Sequence, residues 1–231
     1  MEDEECRHLR QDALDPASVV ARAAFLDLLE SELAELAEVF QLAGSMIGPD
    51  RVSGVSTTGN ADEPLVTLSF VLHTAHSLVS GARSLVRTNP YAASALVRQL
   101  VEVEYLAWAA VENPAEARDW LTSTPAARRE RWQPRQLRKR AGGRFSPDEY
   151  AEHCEAGGHP TPAGVRAFIT GHDKAFMMEL VSWEAAKHGH SIWKYAVAAA
   201  ADGILSAEQK ASSVTRLADA RARDRLARSR G

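Results

Sequence analysis

Two long apolar helices joined by two residues constrain this chain more than any other feature. The first is expected from about Pro64 to Arg87 and the second from Pro90 to about Val111, with only Thr88 and Asn89 between them. Asn89 before Pro90 is a strong helix start: a side-chain acceptor at the cap, then a residue whose φ is preset for the first turn. So short a connection makes the two helices antiparallel neighbours. Each also carries one polar stripe. At about 100° per residue, Tyr91, Ser94, Arg98, Glu102 and Tyr105 share an arc of the second helix, and His73, His76, Ser80, Arg83 and Arg87 line up on the first. The antiparallel register sets His76 level with Glu102, Ser80 with Arg98, and His73 with Tyr105.

Two readings of the stripes are open. Each can be the solvent face of an amphipathic helix, or the two can meet in a polar seam. A buried Arg98–Glu102 pair is costly unless fully hydrogen-bonded, so a buried seam points to a ligand or catalytic role. Glu102 would then fix the tautomer of His76 as a base–orienter pair.

Proline punctuates the rest of the chain. Asp15-Pro16, Asn113-Pro114, Thr124-Pro125 and Ser146-Pro147 repeat the cap-then-proline pattern, and Ser146 with Glu149 has the form of a capping box. Alternating β-branched runs are nearly absent, so no strand is expected. The reading is an all-α, single-domain helical bundle around the 64–111 hairpin. Helices are expected at about 2–13, 16–43, 114–123, 125–141 (broken before Pro134), from Ser146 to about Gly157, and at 173–203. Residues 48–62 read as a polar loop, and the stretch after Gly164 as apolar with its state left open. Residues 1–205 form the domain, and 206–231 a basic, weakly docked C-terminal helix with few large apolar residues.

The net charge of −4 hides a segregation. Residues 128–144 hold eight basic groups against Glu130 alone, while the first forty residues hold eleven acids and three arginines. Arg128, Arg131, Arg135, Arg138 and Arg140, with Trp132 among them, make this segment the candidate RNA-binding surface. The alternative is an internal match, with basic elements lying across acidic ones. Two cysteines make no disulfide framework and the start is acidic, so the expectation is a cytoplasmic protein. No uninterrupted apolar run reaches spanning length, so no membrane partner is expected.

The other candidate site is the loop around His159, Gly157-Gly158-His159-Pro160-Thr161-Pro162, whose stiff and permissive backbone presents a side chain to a cleft. An ordinary turn after a helix cap is the alternative. His153, Cys154 and His159, with His188 and His190 further along, are tested as metal ligands and set aside. None has a recognised zinc spacing, and neighbours 153 and 154 point apart on a helix. No metal and no cofactor is expected.

The order Arg98-Gln-Leu-Val-Glu102 followed by Tyr150 and then Gly158-His159-Pro160-Thr161-Pro162 resembles a group of uncharacterised all-α bacterial proteins, and more remotely the HEPN superfamily. Arg166-Ala-Phe-Ile-Thr-Gly-His172 fits that superfamily's spacing of arginine and histidine, with Ala167 where a polar residue is usual. The resemblance implies a homodimeric helical protein of a toxin or defence setting that cleaves RNA without metal. His76, Arg98, Glu102 and His159 would line its cleft, a histidine moving the 2′-OH proton and an arginine stabilising the phosphate. The competing expectation is a non-catalytic scaffold or interaction module whose polar seam only fixes helix register.

Overall fold

The computed structural model describes residues 13–45, 63–169, 174–200 and 207–228, and all regular structure among them is helical. In chain order these are α1 (Pro16–Ser45), α2 (Glu63–Leu85), α3 (Pro90–Glu112), α4 (Pro114–Thr122), α5 (Pro125–Arg131), α6 (Pro134–Arg140) and α7 (Pro147–His153). A π-helical turn (Cys154–Gly158) follows, then α8 (Pro162–Ile169), α9 (Lys174–Ala199) and α10 (Ala207–Arg228). The chain is an all-α bundle. Almost all of the helix expected at 2–13, the loop at 48–62 and His172 lie outside the described residues.

Seven of these helices begin with proline, whose missing N–H is one that a first turn leaves unpaired in any case. The caps form beside them. Asn89 accepts from the Ala92 amide at 3.1 Å, Thr124 from Ala127 at 3.2 Å, and Ser146 from Asp148 and Glu149 at 3.2 and 3.3 Å. The break before Pro134 separates α5 from α6, and the stretch left open after Gly164 continues α8.

Helix α3 is central, with buried residues on nearly every side, as a helix with so little polar surface requires. It shares the main core with α1, α2 and α9, built on Leu29, Leu33, Phe40, Leu72, Leu100 and Ile192. Its far flank carries a smaller core in which Val101, Tyr105 and Trp108 meet Trp132, Leu137 and Phe145. The α2 segment Pro64–Leu85 is long and apolar enough, by length and composition, to cross a membrane, and half of its most apolar window is buried in this bundle.

The hairpin keeps its expected register, with Gly81 packed so closely on Leu96 that an added Cβ would lie 2.9 Å from its Cδ1. The stripes, however, face different neighbours. The α2 stripe meets α1, where His73 bonds Gln41 at 3.1 Å, His76 lies 3.9 Å from Glu30, and Arg83 pairs with Asp27 and Glu30. The α3 stripe meets α7 and the π turn. The level pairing of His76 with Glu102 is therefore not made. Apolar side chains fill the shared core of the hairpin, and His73, His76, Arg83, Arg98 and Glu102 find their polar partners at its edges.

The charge segregation is matched internally at several points. Arg131 pairs with Asp119 at 3.3 Å, Arg140 with Glu116, and Arg128 with the Ser123 carbonyl, so the basic segment lies across α4. Arg131 also stacks on Trp132 and Arg138 on Tyr150, while Arg135 is exposed. Helix α10 lies on α1, with Leu217 fully buried and Arg216 reaching the buried Glu32 at 2.7 Å.

The π turn seats against α3 at Gly157, where an added Cβ would lie 2.7 Å from the Ala95 amide nitrogen and 2.8 Å from Ser94. Backbone cannot yield there as a side chain can. Gly157→Ala is expected to lower stability by about 1–3 kcal/mol, read from urea unfolding monitored by circular dichroism.

Candidate metal centre

Three helices converge on one cluster of titratable groups. Helix α3 brings Glu104, α7 brings Glu149 and His153, and α9 brings Glu184, Lys187 and His188. On both α7 and α9 the carboxylate precedes the histidine by four residues. That spacing puts the two side chains on one helical face, one above the other.

His188 is the hub, with its side chain 3% exposed. Its Nδ1 lies 2.5 Å from Glu104 Oε2, so Nδ1–H donates to the carboxylate and Nε2 is turned towards α7. There Nε2 faces His153 Nε2 at 3.2 Å and Glu184 Oε2 at 3.1 Å, and His153 Nε2 stands 3.4 Å from the same oxygen. These three atoms form a nearly equilateral triangle. Ligand atoms about 2.0–2.1 Å from a tetrahedral zinc lie about 3.3–3.4 Å apart, so the triangle has the size of one face of such a shell. Glu149 Oε1 is further out, 3.8 Å from His188 Nε2, and takes a hydrogen bond from Lys187 Nζ. The four ligand atoms of Glu149, His153, Glu184 and His188 all lie within 4.8 Å of one another.

The electrostatics follow from this packing. Burial disfavours a charge on His188, but its bonds to Glu104 and Glu184 outweigh that and raise its pKa to about 9. Burial would likewise raise Glu184, yet His153, His188 and Lys187 hold it well below the usual carboxylate range. Lys187 is raised in turn, its burial more than offset by Glu149 and Glu184. In the metal-free chain, three carboxylates thus share two cations. A divalent ion at the triangle would take the place of the Nε2 proton, because imidazole ligates through a lone pair. Glu104 would remain on Nδ1, the outer carboxylate that usually orients a ligating histidine.

Two of the residues singled out in the sequence stand beside this cluster as its support. Tyr150 hydroxyl donates to Glu102 Oε1 at 2.8 Å and accepts from Arg98 at 2.9 Å, while Arg98 also donates to Glu102 at 2.6 Å. Burial and the bond to Glu102 push the Tyr150 hydroxyl up to about 12, so it stays protonated. This closed triad pins α7 to α3 next to Glu149. Gly158 lies flat on the Arg98 side chain, where an added Cβ would be 2.3 Å from Cδ. His159 is exposed, and its backbone carbonyl accepts from Tyr91 hydroxyl at 3.1 Å. His76 belongs to the α1–α2 contact described above. The cluster of Glu149, His153, Glu184 and His188 is absent from the sequence reading, which takes Glu149 for a capping residue. The signal for it is the repeated Glu-x-x-x-His at 149–153 and 184–188.

A cavity of about 160 Å³ opens beside the triangle and reaches two of its members, His153 and Glu184. Glu149, His153, Glu184 and Lys187 form its polar side, and Val97, Phe168, Met177, Leu180 and Val181 its apolar side. Comparison with protein-family models, with curated proteins and with solved structures finds no match to this chain.

Because Glu104 and His188 are buried partners, either one left alone is an uncompensated group. In metal-free protein, Glu104→Ala and His188→Ala are each expected to cost about 3–5 kcal/mol. The double variant should cost clearly less than the two added together, as read from urea unfolding of all four chains.

Proposed function

We propose that this chain is a metal-dependent protein of catalytic type, holding one zinc-class divalent ion on His153, Glu184 and His188. The observation that carries the reading is the triangle of two imidazole nitrogens and one carboxylate oxygen, backed by Glu104 and open on one side to a cavity. Two histidines and a glutamate, with a fourth position left for water or substrate, are a known make-up of catalytic zinc sites. Imidazole with carboxylate selects zinc and its first-row neighbours over magnesium or calcium, which prefer all-oxygen shells.

RNA cleavage without metal, the expectation from the HEPN-like resemblance, draws less support from the arrangement. His76 pairs towards α1, and Arg98 is engaged by Glu102 and Tyr150. The scaffold reading has one observation in its favour: Arg98, Glu102 and Tyr150 bond one another across α3 and α7, as a register-fixing contact would.

Titration of chelator-stripped protein with Zn²⁺ separates these readings. One equivalent is expected to bind and to raise the unfolding temperature, with about 2.7 kcal/mol of stabilisation at a free concentration a hundred times Kd. His153→Ala and His188→Ala should each abolish that rise. Tyr150→Phe, which only loosens α7, should weaken zinc binding about tenfold. No uptake, or uptake unchanged in both histidine variants, would contradict the metal reading and favour the scaffold.

A further inference from the structure

The cavity beside the triangle restricts what can reach it. Its volume, about 160 Å³, is close to that of an engineered apolar cavity of about 150 Å³ that takes up benzene. A short acyl group fits such a space. Phe168, Met177, Leu180 and Val181 give it an apolar wall, with Phe168 and Val181 almost fully buried. The charges lining it are Glu149, Glu152 and Glu184 against Lys187. A divalent ion brings that set to formal neutrality, so the net charge of the cavity does not select for an anion.

Glu149 is placed apart from the ligand triangle. Its Oε1 is 3.8 Å from His188 Nε2, and Lys187 holds it there. With an ion on the triangle, that carboxylate would stand beside the metal, where it could take a proton from metal-bound water.

Resting on the metal reading above, we propose that the centre hydrolyses short, uncharged acyl amides or esters, with Glu149 as the general base. The acyl chain occupies the apolar cavity, and its carbonyl oxygen turns towards the ion. Water polarised at the centre gives one proton to Glu149 and adds through its oxygen to the acyl carbon. The bond from that carbon to nitrogen or oxygen then breaks, and Glu149 passes its proton to the departing amine or alcohol. One water is consumed, a carboxylic acid and an amine or alcohol are released, and no oxidant or reductant takes part.

The test uses zinc-loaded full-length protein and a series of N-acyl-p-nitroanilides: acetyl, butyryl, benzoyl and 2-naphthoyl. Zinc content is measured on every preparation. kcat/KM is expected to rise from acetyl to butyryl or benzoyl and to fall about tenfold or more at naphthoyl. Leu180→Trp, which fills the cavity, should move the optimum to acetyl while zinc stays bound. Glu149→Gln should retain zinc and lose about 100-fold or more in kcat. A flat series, no hydrolysis of any member by zinc-loaded protein, or a Glu149→Gln variant as active as wild type would each overturn this inference and leave the metal reading standing. Preferential cleavage of single-stranded RNA by the same preparation would overturn it too. Failure of the protein to take up zinc would remove both readings.

Discussion

The contact between His188 and Glu104 is the constraint on which the rest of the centre depends. Both groups are buried between α3 and α9, where an unpaired carboxylate would be strongly destabilising. Pairing through Nδ1 fixes the ring and its tautomer and leaves Nε2 directed away from α3. Everything that meets Nε2 is then set by helix geometry. Glu184 is one turn earlier on the same face of α9, and α7 lies opposite, with His153 one turn after Glu149. The polar network of Arg98, Glu102 and Tyr150 keeps α7 in that place. The two glycines of the π turn let the chain lie close enough to α3 for those contacts to form.

The fold was legible because its signals are local. Proline after a capping residue marks the first turn wherever it occurs, and a two-residue link between long apolar helices leaves them no arrangement but antiparallel. The register followed too, as the Gly81–Leu96 contact shows. The direction in which each stripe looks was not legible. It depends on which other helices cover the hairpin, and α1, α7 and α9 are far from it in sequence. Hence His76 was matched with Glu102 across the hairpin, when its partner in space is Glu30.

The site was hidden for a related reason. Testing for metal ligands by spacing asks for several ligands in one short stretch, and here each stretch supplies half. In sequence, His153 has Cys154 as its neighbour, which points elsewhere, and Glu149 reads as part of the cap of α7. That second reading is incomplete rather than misplaced: Ser146 does cap the helix, while the Glu149 carboxylate reaches Lys187 on α9. Arg98 and Glu102 read from the sequence as a pair that needs a reason if it is buried, and in the structure both are half-buried. Their reason is mechanical, since they hold the helix that carries two of the converging groups. In the basic segment, Arg131 and Arg140 pair with the acids of α4, while Arg135 is exposed.

The central claim is that two imidazoles and a carboxylate share one ion. X-ray absorption at the zinc edge, on protein loaded with one equivalent, reads that shell directly. The account predicts only nitrogen and oxygen neighbours at about 2.0–2.2 Å, with the outer-shell scattering of two imidazole rings and no sulfur. A sulfur neighbour at about 2.3 Å, which would place the ion on a cysteine, or a shell without imidazole scattering, would contradict it.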